Sequence, residues 1–184
     1  MVVTVGSGTS GSGGLVQAHA GRSTVHTGGE VHVSSGEGTA TSSGAITIRS
    51  VNAGAAGTSG YLSFSSGSSV TGNSGYIHMG TGVATAGRGG MVLISVGSGT
   101  SSVGGMVQAH AGRSTVHTGG AVVVTSGEGT ATSSGVVLIR SSNSGEAGVS
   151  GSLLFSSGTS VTGNSGRVHM GTGAATAGRG GAVV

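Results

Sequence analysis

Cysteine, proline, tryptophan, lysine and aspartate are all missing from this chain, and each absence removes a class of explanation. Without cysteine there is no disulfide framework, and the redox compartment stays undetermined. Without proline or a three-residue period, the 43 glycines do not signal collagen. Without aspartate, the calcium-binding nonapeptide turns of many solenoids are excluded. Two Tyr, two Phe and few Leu deny the chain the usual filler of a globular core. Charge is scarce as well. The net +3 comes from seven arginines against four glutamates, too dilute for the clustered basic face that a nucleic acid requires. No run approaches the ~20 apolar residues of a membrane-spanning helix, so no membrane insertion is expected. The N-terminus lacks the charged and apolar regions of a secretory leader. Low charge with regularly placed Val, Ile, Leu, Phe and Met argues against simple disorder, which needs low hydrophobicity and high net charge.

What is present is periodicity on two scales. The long period is 91 residues: Gln17-Ala18-His19-Ala20-Gly21-Arg22 recurs as Gln108-Ala109-His110-Ala111-Gly112-Arg113. Inside it run five modules of fifteen residues and one of sixteen, beginning at Gly6, Gly21, Gly36, Val51, Gly67 and Gly82. The second set begins at Gly97, Gly112, Gly127, Ser142, Gly158 and Gly173. Two tandem repeats are thus expected, approximately 1–91 and 92–182, with no independent domain boundary between them.

Place 11 of each module, allowing for the extra residue in the long ones, reads Val16, Val31, Ile46, Leu62, Ile77 and Val92, then Val107, Val122, Val137, Leu153, Val168 and Val183. Place 13 holds Val33, Ile48, Phe64, Met79, Ile94, Val124, Ile139, Phe155 and Met170. A spacing of two puts both columns on one face of a strand. Earlier in the module, places 3 and 5 turn inward by the same parity, and glycines supply positive φ at the corners. A fixed short period signals stacked supersecondary units. The fold expected is therefore all-β: a single-stranded parallel β-solenoid, a flattened two-sheet β-helix of about twelve 15–16-residue coils. Antiparallel hairpins in a sandwich or barrel also explain the alternation, but not the fixed period.

Little in the sequence points to chemistry. The seven histidines occupy three different columns, with no strong ligand spacing and no carboxylate cluster, and read as solvated side chains. Serines sit in repeated columns, so none stands out as a nucleophile with its own base and acid. The Gly-Arg-Gly-Gly segments at Arg88 and Arg179 lack the neighbouring aromatics that stack on nucleic-acid bases. The expectation is a protein that is not an enzyme and holds no cofactor or metal.

Two surface features remain. Place 4 carries a threonine column: Thr9, Thr24, Thr39, Thr85, Thr100, Thr115, Thr130 and Thr176, with Thr41 and Thr132 two residues on. Here the chain resembles insect ice-binding β-helices of the spruce budworm type, which have fifteen-residue loops and a flat Thr-x-Thr face. The resemblance covers the coil length and one threonine column, and implies ice binding by a regular array of hydroxyls and methyls. Thr-x-Thr itself occurs in the relevant places only at Thr39/Thr41 and Thr130/Thr132, and the disulfides of that family are missing. The second feature is a strip at places 10 and 12 that becomes apolar toward the second repeat: Met91, Leu93, Met106, Val123, Val136, Leu138 and Leu154. A contiguous apolar strip suggests lateral association of copies.

No cap is recognisable at either end, and two long repeats plus two residues is the length that excision from a tandem array gives. The expected role is a non-enzymatic structural rod or filament segment of an extracellular or cell-surface repeat protein. Its expected partner is itself, end to end or side by side. Ice binding through the threonine column is the alternative, and a glycan-binding adhesin stalk, with only Tyr61 and Tyr76 to stack on sugars, comes third.

Overall fold

A computed structural model describes residues 2–184 and overturns the expected architecture. Among the described residues there is no helix and no β-strand, so the parallel β-solenoid, and with it any two-sheet β-helix, is not formed. The chain divides into two units, Met1–Val92 and Leu93–Val184. Having no helix, the described chain has none long and apolar enough to cross a membrane.

The fifteen-residue period is nevertheless present in three dimensions, as a bend rather than a strand. Bends fall at 9–11, 24–26, 39–41, 55–57, 70–72, 85–87, 100–102, 115–117, 130–132, 146–148, 161–163 and 176–178. They open at place 4 of each fifteen-residue module and one place later in each sixteen-residue module, which puts the extra residue before the bend.

In five modules the bend is the tip of a loop whose neck a backbone hydrogen bond closes inside the module. The Gly29 amide donates to the Gly21 carbonyl at 2.7 Å, and the same bond joins Gly14 to Gly6, Gly44 to Gly36, Gly120 to Gly112 and Gly135 to Gly127 at 2.9–3.2 Å. These are strong by geometry. Where they form, they compete with a ladder. A parallel solenoid needs the amides and carbonyls of one module to face those of the next, whereas these five bonds run from place 9 back to place 1 of the same module.

The neck also fixes where glycine is required. A Cβ on Gly14 would lie 2.9 Å from the Val5 Cβ, and one on Gly90 would lie 3.0 Å from the Thr81 Cβ. Gly29, Gly105, Gly120 and Gly181 are crowded in the same way, whereas at Gly44, Gly60, Gly75, Gly135, Gly151 and Gly166 the nearest atom stands at 3.4–3.5 Å, an ordinary contact with the residue before the loop. Positive φ is not the reason, which corrects the expectation for the corners. Gly57, at 154°, is the only described residue with positive φ. Place-1 glycines such as Gly6, Gly21 and Gly36 meet nothing within 4 Å and are free of this constraint.

Place 3 is serine, glycine or, at Ala53, Ala84 and Ala175, alanine, and the first two shape the loop interior differently. At four of its five serines the side-chain oxygen accepts an amide proton from the bend: Ser23 from His26 at 2.9 Å, Ser114 from His117 at 2.9 Å, Ser69 from Gly72 at 3.0 Å and Ser160 from Gly163 at 3.1 Å. This is the side-chain turn that serine offers in competition with regular structure. At Gly8, Gly38 and Gly129, though not at Gly99, the returning limb comes closer, and a Cβ on Gly8 would lie 2.8 Å from the Ser12 carbonyl oxygen.

No residue among those described is buried, so the columns at places 11 and 13 do not form the expected core. Among the described residues, the least exposed are Ala20, Ser23, Gly38, Gly129 and Ser141, all at place 3 or at the neck. The accessible surface of 18,274 Å² compares with about 7,700 Å² for a folded chain of this mass and about 25,000 Å² for an unfolded one. The alternation persists in weakened form. Place 11 is 47–62% exposed, while the large apolar residues of places 10 and 12 within the chain are 72–89% exposed.

Candidate functional site

All ten threonines of the candidate ice face lie in bends. Thr9, Thr24, Thr39, Thr85, Thr100, Thr115, Thr130 and Thr176 are each the first residue of one, and Thr41 and Thr132 are the third. All are exposed. Thr39 and Thr41 are therefore the two ends of one bend, not alternate residues of a flat strand, because strand parity does not extend through a change of chain direction.

The bends that hold Thr24 and Thr115 are also the serine-capped ones carrying His26 and His117, whose amides the caps bind. Cap and histidine side chain make no common site, since the bond is to the backbone. Across the described residues, no group of three His, Cys, Asp or Glu side chains comes together in a way that could hold a metal ion.

The seven residues of the lateral strip, Met91, Leu93, Met106, Val123, Val136, Leu138 and Leu154, are all 72–87% exposed. Met91 belongs to the first unit and the other six to the second. One polar contact decorates the strip: the Gln108 amide nitrogen rests 3.3 Å from the Met106 sulfur.

Sequence reasoning missed a shallow open concavity of about 280 Å³ lined by Phe64, Ile77, His78 and Met79. Phe64 ends the apolar limb of one module and the other three come from the limb of the next, so neighbouring limbs lie side by side here. The His78 ring folds back over its own chain, with Nε2 2.9 Å from where a Cβ on Gly80 would stand. His169 repeats this over Gly171 at 3.1 Å. The signal was available in the shared columns of Phe64 and Met79, but the strand parity assumed for His78 hid it.

Comparison with known proteins adds no family: no family model, no curated protein and no solved structure matches this chain.

Proposed function

We propose that the chain is a non-enzymatic structural segment of a repetitive extracellular or cell-surface protein, and that side-by-side association of copies covers its apolar limbs. The observation that carries this reading is the exposure of every large apolar side chain described, from Val137 at 47% to Val70 and Val161 fully open. Each half-exposed valine or isoleucine gains about 1 kcal/mol on complete burial, and nothing within the chain supplies it. The near absence of charge removes the repulsion that keeps single chains apart. Repeated hydroxyl and glycine columns, in which no residue is chemically singled out, favour a structural role over a catalytic one.

The test is the concentration dependence of mass by light scattering. Growth of mass with concentration is expected, together with its loss in Leu93→Glu/Leu138→Glu. A monomer at every soluble concentration overturns the reading. Ice binding is the competing reading, supported by the exposed threonines of the bends. The structural reading expects no thermal hysteresis above buffer, and none altered by Thr24→Tyr or Thr115→Tyr. Hysteresis that those two changes abolish would put the ice-binding reading in its place.

A further inference from the structure

We infer that copies of this chain meet through the second unit, pairing its place-10 and place-12 columns with the same columns of a second copy; the inference rests on the self-association proposed above. The observation behind it is a difference between repeats that are otherwise nearly the same. At equivalent positions, 91 residues apart, His32 becomes Val123, Ala45 becomes Val136, Thr47 becomes Leu138 and Ser63 becomes Leu154. Glu30 becomes Ala121, so the strip also loses its one acidic group. Four changes toward larger or more apolar side chains fall in two columns and in three consecutive modules, while the place-11 column keeps its character in both halves.

Those columns are also the ones the chain itself shields least. Place 11 is partly covered by its own surroundings, whereas Val123, Val136, Leu138 and Leu154 are 73–87% exposed. With Leu93 and Met106 they offer on the order of 800 Å² at their observed exposure, which matches the roughly 800 Å² per partner of a standard stable interface. The strip ends at Arg167 and His169, which hold places 10 and 12 of the following module. Gln108, its only polar twelfth place, is turned onto the Met106 sulfur.

The occupant that fits is another copy. A face without charge gives an acidic or basic partner nothing to recognise. Two-fold pairing instead sets the strip against itself, so each valine and leucine meets a like surface. The first unit has His32, Thr47 and Ser63 at place 12; its large apolar residues in these columns, Leu15, Tyr61, Tyr76 and Met91, all stand at place 10, so only the second unit has apolar residues in both columns of consecutive modules.

The chain carries its own control, because each position can take the residue found in the other repeat. In the full chain, Val123→His/Val136→Ala/Leu138→Thr/Leu154→Ser gives the second unit the first unit's residues. The reciprocal His32→Val/Ala45→Val/Thr47→Leu/Ser63→Leu gives the first unit a strip. Sedimentation equilibrium is expected to show the first variant associating roughly a hundredfold more weakly than wild type, as when two of the four changed residues are each worth about tenfold. The reciprocal variant is expected to form larger species, since two self-complementary faces per chain permit open assembly. Wild-type association that the first variant leaves unchanged overturns this inference while the self-association reading stands. A wild-type chain that never associates overturns both. If the first variant loses association and the reciprocal variant gains none, association depends on the second unit by some route other than this strip, and the inference falls.

Discussion

The two limbs of a module obey different rules. Places 1–9 form a loop whose needs are met locally: the neck amide finds the place-1 carbonyl in five modules, and the bend amide finds a place-3 serine in four. Places 10–15 form an apolar limb whose needs are not met at all, because no large apolar side chain described is buried. Hydrogen bonds can close over eight residues at small entropic cost. Removing apolar surface from water needs a second surface of similar size, and a limb of six residues cannot fold onto itself. The loop's polar groups are thus satisfied locally where these bonds form, and the limb's apolar groups are left in water.

The strongest way to break this contrast is to fill the neck. Gly29→Ala places a Cβ 2.9 Å from the Gly21 nitrogen and 3.3 Å from the Ala20 Cβ. Crowding of this kind costs about 1–3 kcal/mol. Gly21→Ala, at the other side of the same bond, meets nothing within 4 Å and is expected to shift stability by less than about 0.5 kcal/mol. Amide hydrogen exchange at residue 29 reads the difference: protection lost in Gly29→Ala and kept in Gly21→Ala. Equal behaviour of the two variants would mean that the neck is not closed in solution.

A smaller effect is expected from the limb. Ile46 is 51% exposed, so the free chain already shields about half of it. Ile46→Ser in dilute solution is expected to cost about 1 kcal/mol, the worth of roughly 40 Å² of apolar surface at the usual coefficient, and to expand the hydrodynamic radius slightly. Thr47→Ser, on the more open neighbouring column, is expected to leave the radius unchanged. If the two variants expand the chain equally, the residual shielding of place 11 has no energetic content.

What the sequence made readable was the period and the class of residue at each place, and both persist: the bends recur at the spacing of the modules, and place 11 is less exposed than places 10 and 12. What it did not reveal was which hydrogen bonds the backbone would choose. Alternation of Val31, His32 and Val33 is compatible with a ladder, but a ladder also requires neighbouring modules to offer free amides in register. Serine at position 23 and the glycine pairs at the necks satisfy or direct those amides within the module, and such local competition leaves no trace in hydrophobic periodicity. The neck glycines were noticed as corners and assigned the wrong cause. Their repetition reflects the closeness of the residue nine positions earlier, a contact that only the closed loop creates. The threonine column was equally visible, yet its position at the start of every occupied bend depended on knowing that the bends exist.

The subtlest contrast lies within the loop itself, between serine and glycine at place 3. Removing the cap in Ser23→Ala or Ser114→Ala is expected to cost about 0.5–1 kcal/mol, the net worth of one exposed side-chain hydrogen bond. The amides of His26 and His117 should then exchange about two- to fivefold faster. Ser23→Gly should do the same and no more, because glycine is what Gly38 and Gly129 show at this place. The reverse change is not equivalent. In Gly38→Ser the new Cβ would stand 2.9 Å from the Thr41 carbonyl oxygen, and in Gly129→Ser 3.0 Å from that of Thr132. The loop would have to open before the hydroxyl could reach the bend amide. Exchange at Thr41 should therefore rise in Gly38→Ser despite the added hydrogen-bonding group. A fall instead would show that serine-capped and glycine-packed loops interconvert freely, and that the difference between them is one of sequence alone.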